Sequence, residues 1–209
     1  MRAADIGRTA PLGESGVRLT FDDGPDPTWT PLVLRRLRRL EALATFFVIA
    51  PRAEAYPALI DAMLADGHEV ELHCWSHTRH STLTRDAVEA DTDRALASLG
   101  RLGIRPRRWR TPWGDTAPWS RAVAAERGLR LTGWTADTHD WRGDDAASML
   151  AAVAPDLEPN AIVLMHDGIG PGARRRTCRE TVLLLEPLCA AVRDRGWAVG
   201  PRSPHGAAP

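Results

Sequence analysis

Short β-rich apolar runs alternate with longer amphipathic runs along almost the whole chain, and this alternation leaves few folds open to it. Residues 17–21, 45–50, 69–73, 108–110, 131–135, 162–166 and 197–199 read as strands. Six helical segments lie between them. The first opens at Thr30-Pro31, with Thr as N-cap and Pro at the first helical position, and runs to about Leu43. The others cover 55–65, a stretch capped by Thr84 and closed by Gly100, 120–127, a short piece starting at Asp145, and 177–195 before Gly196. Strands separated by helices need crossover connections, which make the strands parallel and put the helices outside. The expectation is one α/β domain over residues 15–201, with a parallel sheet that is either open or closed as a barrel. The tails 1–14 and 202–209 read as disordered.

Polar residues recur at one end of these strands. Asp22 and Asp23 follow the first strand, and His73 ends the third. Arg110 ends the fourth, Asp137 and Asp140 follow the fifth, and His166 ends the sixth. In parallel βα folds all strand C-termini share one face, where active sites assemble, so the topology alone brings these groups together.

Two adjacent carboxylates at a strand end repel each other unless a cation sits beside them. A divalent metal would take one Asp as ligand and leave the other free to handle a proton. His73 and His77 stand four apart, so a helical turn or a tight loop brings both imidazoles to one point. With a carboxylate they make a His₂Asp set with open positions for water and substrate. Nitrogen and oxygen donors without thiolate suit Zn²⁺, with Co²⁺, Ni²⁺ or Mn²⁺ also compatible. Arg110 is placed to hold one carboxylate by a bidentate contact, and Asp140 to orient His166 as a general acid. Taken singly, each motif also fits a plainer role: a solvated Asp-Gly-Pro turn, a surface His pair, an Arg covering a sheet edge, an Asp-rich turn. Of the other histidines, His68 reads as structural and His80 as exposed.

Composition narrows the rest. Formal net charge is zero, so neither nucleic acid nor an acidic membrane is favoured as partner. All 27 basic residues are Arg, which excludes lysine Schiff-base chemistry. Eight Trp against one Tyr, several beside the polar motifs, suit a flat-faced ligand such as a sugar. Three scattered cysteines make neither a disulfide framework nor a thiolate site and point to a reducing compartment. The first 16 residues lack the apolar segment of a signal peptide, so the expected location is cytoplasmic.

The ordered series Thr20-Phe21-Asp22-Asp23-Gly24-Pro25, His73-x-x-Ser76-His77, Arg110-x-Pro112-Trp113-Gly114, Asp137-x-x-Asp140-Trp141 and Leu164-x-His166 resembles the five motifs of the polysaccharide deacetylases, the NodB-type domains of carbohydrate esterase family 4. The resemblance spans about residues 16–200 and implies a distorted (β/α)7 barrel. It further implies that Asp23, His73 and His77 bind the metal and that Asp22 is the general base, tethered by Arg110. The Trp113 backbone N–H would help hold the oxyanion. His166 would be the general acid supported by Asp140, while Trp141 and Leu164 would line the acyl pocket. The expected reaction is removal of acetyl from an N-acetylamino sugar, a glycan or a related N-acyl metabolite by a monomer. An ester-cleaving O-deacetylase and an inactive glycan-binding module are the alternatives. Two departures stand out: Cys74 occupies a place where the family usually has Ser or Thr, and relatives acting on polymers usually work outside the cell.

Overall fold

The computed structural model describes residues 16–200, so the expected tails and the domain limits at 15 and 201 lie outside the described residues. The elements are β1 (Gly16–Asp22), α1 (Thr30–Arg39), β2 (Ala44–Ile49), α2 (Ala50–Ala55), α3 (Pro57–Ala65), β3 (Glu69–Cys74) and α4 (Arg85–Arg101), then β4 (Arg108–Trp109), α5 (Ser120–Glu126), β5 (Arg130–Leu131), β6 (Ala136–Asp137), α6 (Ala146–Val153), β7 (Ile162–His166), α7 (Arg179–Arg193) and β8 (Ala198–Val199). Every strand pairing is parallel. The sheet follows the order β5-β4-β3-β2-β1-β7-β6, with β8 added to β1. It forms a curled seven-strand half-barrel, the distorted (β/α)7 architecture, left unclosed between β5 and β6.

The central strands are apolar on both faces because helices cover one face and the curled interior fills the other. In β2 all six residues are buried, and Phe46 stacks on Phe21 of β1 with ring centroids 5.1 Å apart. On the outer layer, α1 buries Val33, Leu34 and Leu37 and keeps Arg36, Arg38 and Arg39 in its last turn, where cations meet the negative end of the helix dipole. No helix of the described residues is long and apolar enough to cross a membrane.

The structure corrects several boundaries. The N-cap of α1 is Trp29, not Thr30. Thr30 is buried inside the helix, where its Oγ1 accepts from the Asp26 N–H at 2.8 Å and donates to Asp167 at 2.5 Å. A tertiary partner thus outcompetes the cap. The helix α1 ends at Arg39; the expected 55–65 helix is α3, which starts at Pro57, and a further helix, α2, precedes it over Ala50–Ala55. Gly100 does not close α4; the left-handed turn is made by Gly103, φ +76°.

Of the expected strand 131–135, Leu131 belongs to β5 and residues 132–135 bridge the open seam. Thr132 N–H reaches the Trp109 carbonyl on one side, and Thr135 N–H reaches the Ile162 carbonyl on the other, at 2.9 and 3.0 Å. The chain leaves β5 and enters β6 without pairing them, which gives eight strands where the sequence reads as seven.

His80 is also corrected: it is 5% exposed, tilts against Trp109 with centroids 5.0 Å apart, and Nδ1 lies 3.0 Å from Ser120 Oγ. Burial pushes its pKa down to about 4. Between about pH 6.5 and 4 the unfolded chain takes a proton here that the native protein refuses, so stability falls as pH drops through that window. The loss is on the order of 3 kcal/mol. His80→Gln is expected to be less stable at pH 7 yet to show a flatter decline between pH 6.5 and 4, measured by urea unfolding across pH.

Candidate active site

The expected polar groups meet at the C-terminal ends of the strands. Asp22 on β1 is paired in register with His166 on β7, at the barrel mouth, while Asp137 on β6 is paired with Leu164, two residues before His166. They line a cavity of about 420 Å³ together with Asp23, His73, His77, Trp113, Trp141 and Leu164.

Asp23, His73 and His77 each offer one donor atom, and these atoms all lie within 4.8 Å of one another. His73 Nε2 and His77 Nε2 approach Asp23 Oδ1 at 3.4 and 3.1 Å. Oδ1 is nevertheless buried without a hydrogen-bond partner among the described residues. The close approach therefore lacks hydrogen-bond geometry. His73 Nδ1 lies 2.7 Å from the Arg110 carbonyl, which only an N–H can satisfy, so Nε2 is the free acceptor. The Asp23 carboxylate, the free His73 Nε2 and the adjacent His77 Nε2 make a donor set that fits a divalent cation.

The backbone makes this convergence possible. His73 is the penultimate residue of β3, while His77 lies in an irregular loop, not on a helical turn. Asp91 of α4 ties that loop down by accepting from the Trp75 and Ser76 N–H groups at 3.0 and 2.8 Å. Cys74 is buried, and burial, with Asp23 and Asp91 beside it, pushes its thiol pKa well up. It stays a neutral packing residue beside the ligands.

Asp23 sits in the left-handed region at φ +71°. Its carbonyl is held by Arg52 at 2.7 Å, and the same guanidinium reaches the Ile169 carbonyl at 2.9 Å. The loop after β7 then presses directly on it. A Cβ on Gly170 would lie 1.9 Å from Asp23 Oδ2, and one on Gly168 would lie 2.6 Å from the Asp23 carbonyl. Only glycine allows that approach. Behind the loop, a Cβ on Gly24 would strike the Asp167 carboxylate at 2.3 Å. Asp167 is fully buried, and burial pushes its pKa up to about 7.

Arg110 is completely buried and fills the unclosed seam. It donates to Asp22 Oδ1 and Thr20 Oγ1, both at 2.8 Å, and to the Gly133 carbonyl at 2.8 Å. Its guanidinium carbon lies 4.2 Å from the Phe47 ring centroid. Burial pulls its pKa down while Asp22 opposes that, and a guanidinium keeps its charge in either case.

Across the mouth, Asp140 is buried and saturated. Oδ1 meets His166 Nδ1 at 2.7 Å, and Oδ2 accepts from the His166 N–H, Arg175 and Thr181 at 2.9, 2.9 and 2.8 Å. Nδ1 of His166 is thereby occupied, and Nε2 is left for the cavity. Burial disfavours the imidazolium, but Asp140, then Asp23 and Asp22, outweigh it and push the pKa up to about 9. Trp113 has φ +55° and sets its indole edge-on to His77, centroids 4.2 Å apart. Its N–H has no acceptor among the described residues, whereas the Gly114 and Asp115 N–H groups do.

Every site residue expected from sequence is at the mouth or braces a group that is. The supports Thr20, Arg52, Asp91, Asp167, Arg175, Thr181, Gly168 and Gly170 were not foreseen; only the two glycines, in a Gly-rich loop after a strand, carried any local signal.

Residues 9–132 match the family model described as polysaccharide deacetylase. The chain belongs to the polysaccharide deacetylase family. It is 35% identical to a chitooligosaccharide deacetylase of Sinorhizobium fredii over 95% of this chain and 97% of that one. It is 34% identical to a peptidoglycan-N-acetylglucosamine deacetylase of Bacillus cereus, over 90% and 86%. Among solved structures, a family 4 carbohydrate esterase from Streptomyces lividans in complex with acetate superposes with TM-score 0.80 at 27% identity, covering 92% of this chain and 95% of that one. A peptidoglycan N-acetylglucosamine deacetylase bound to an N-hydroxybenzamide gives TM-score 0.82 at 27% identity, with 90% and 86% covered. The family is one of deacetylase hydrolases, and the fold is theirs.

Proposed function

We propose that this protein is a metal-dependent N-deacetylase that removes acetyl from the amide nitrogen of N-acetylglucosamine units in a glycan. The single observation that carries the reading is the pairing of a convergent Asp23–His73–His77 donor set with two proton-handling groups, Asp22 and His166, in register on adjacent strands. A pure glycan binder needs neither of the last two. A divalent cation in the donor set, Zn²⁺ as first choice, supplies Lewis-acid polarisation of the acyl oxygen and lowers the pKa of nearby water.

The chain's own groups do the rest. Asp22, held by Arg110, takes the proton from the water that attacks the acyl carbon. As charge builds on the acyl oxygen, the free Trp113 N–H donates to it. His166 Nε2 gives its proton to the departing nitrogen as the C–N bond breaks, and Asp140 holds the resulting imidazole. Trp141 and Leu164 enclose the acyl methyl.

The test is acetate release from a chitooligosaccharide, before and after chelation and on return of Zn²⁺. Activity that is lost and then restored is expected. Chelator-insensitive activity would overturn the metal assignment, and release from an O-acetylated glycan but not from the chitooligosaccharide would transfer the reading to O-deacetylation. Asp140→Asn adds a pH test. His166 must be protonated to act, so activity falls as pH rises through its pKa. Removing the Asp140 charge lowers that pKa, so the alkaline limb of kcat/KM is expected to move to lower pH; an unmoved limb would remove His166 as the acid.

A further inference from the structure

The floor of the cavity carries the carboxylates Asp22 and Asp23, but its mouth is basic. On one side Arg79, itself lining the cavity and exposed, lies with its guanidinium carbon 4.4 Å from the centroid of the Trp113 ring. On the other, Arg142 and Arg174, both exposed, lie 5.2 and 5.9 Å from the centroid of Trp141. Both tryptophans line the cavity. Among the described residues none of these three arginines is paired with a carboxylate, although twelve other Arg–carboxylate pairs occur there.

The arrangement is positioned by the surrounding structure. Arg174, Arg175 and Arg176 are consecutive. Arg175 turns inward to Asp140 and to the His166 and Gly168 carbonyls, which anchors the segment and sends Arg174 outward. The Arg174 N–H is fixed to the Trp141 carbonyl at 2.8 Å. A guanidinium resting on an indole keeps its edge donors facing solvent, in a planar fork that matches a carboxylate or a phosphate. A neutral sugar needs the indoles but leaves three cations unmatched. An anion near the mouth satisfies them.

We propose that the mouth is an anion-binding rim formed by Arg79, Arg142 and Arg174 on Trp113 and Trp141, so that the preferred N-acyl sugar substrate carries a carboxylate or phosphate next to the ring whose acyl group is removed. The proposal rests on the deacetylase reading above and deepens it.

The test compares three matched substrates: di-N-acetylchitobiose, the same disaccharide phosphorylated, and the same disaccharide oxidised to a uronate. Wild-type kcat/KM is expected to be higher for the charged pair than for the neutral compound, with the advantage shrinking as salt rises. Arg79→Ala and Arg174→Ala are each expected to lower the charged-to-neutral ratio by about twofold to fivefold, the size of one partly exposed charge contact. Arg195→Ala is the control. Arg195 lies 5.9 Å from the Trp197 centroid beside β8, at the opposite end of the sheet, and its loss should leave the ratio alone. The two anions separate the sources: the favoured one names the substrate's charged group. A wild-type ratio of one or less at low salt, or a ratio unmoved by both variants, overturns the rim. Calorimetric binding of the three compounds is read in parallel. Arginine-dependent binding of the charged compounds without acetate release would keep the rim and sink the deacetylase reading instead.

Discussion

Asp22→Asn is expected to lower kcat by about 10³-fold, the usual size of a lost general base, while the protein still folds and still binds one divalent cation. The substitution keeps the shape of the side chain and one oxygen for Arg110, so the seam contact at 2.8 Å can persist. What disappears is the ability to accept a proton from water. Asp23, His73 and His77 are untouched, so metal stoichiometry after dialysis should match the parent. A fall of less than tenfold in acetate release, with metal retained, would show that another group takes the proton. Loss of metal together with activity would instead place Asp22 among the ligands.

The second large effect concerns Arg110. Arg110→Met is expected to destabilise the protein by about 3–5 kcal/mol, because removing one partner leaves an uncompensated buried charge. Asp22 is 4% exposed and would be that charge. The cost should not be additive. In an Asp22→Asn background the stranded charge is gone, so Arg110→Met is expected to cost clearly less than it does in the parent. The measurement is a double-mutant cycle by denaturant unfolding. Equal costs in both backgrounds would mean that Arg110 acts mainly through Thr20, Gly133 and Phe47, as a plug in the seam. Activity should fall with either outcome, since Asp22 loses its orientation.

These two predictions also show what kind of information each level carried. The alternation of apolar and amphipathic runs is a local property of side-chain order, and it was enough for a parallel α/β sheet with polar groups at its C-terminal edge. The metal donor set was legible for the same reason: His73 and His77 are close in sequence, and Asp23 follows a strand whose neighbours the topology supplies. The misreadings came where a distant partner overruled a local preference. Thr30 has the chemistry of a cap but donates to Asp167, 137 positions away. His80 looks like a surface residue in a polar stretch, but Trp109 and Ser120 cover it. Residues 131–135 have strand composition, yet the sheet ends at Leu131 and resumes at Ala136.

The architecture and the polar groups that gather at the mouth can be read from the chain alone, because period, turn residues and donor types are written locally. How those groups are held depends on contacts the fold creates. Asp91 bends the histidine loop, Arg52 and two glycines press Asp23 into place, and Arg175 turns inward so that Arg174 turns out. Each of those contacts joins residues far apart in the chain, so no local pattern encodes it. The half-barrel brings them within a few ångströms, where hydrogen bonding, burial and charge select one arrangement.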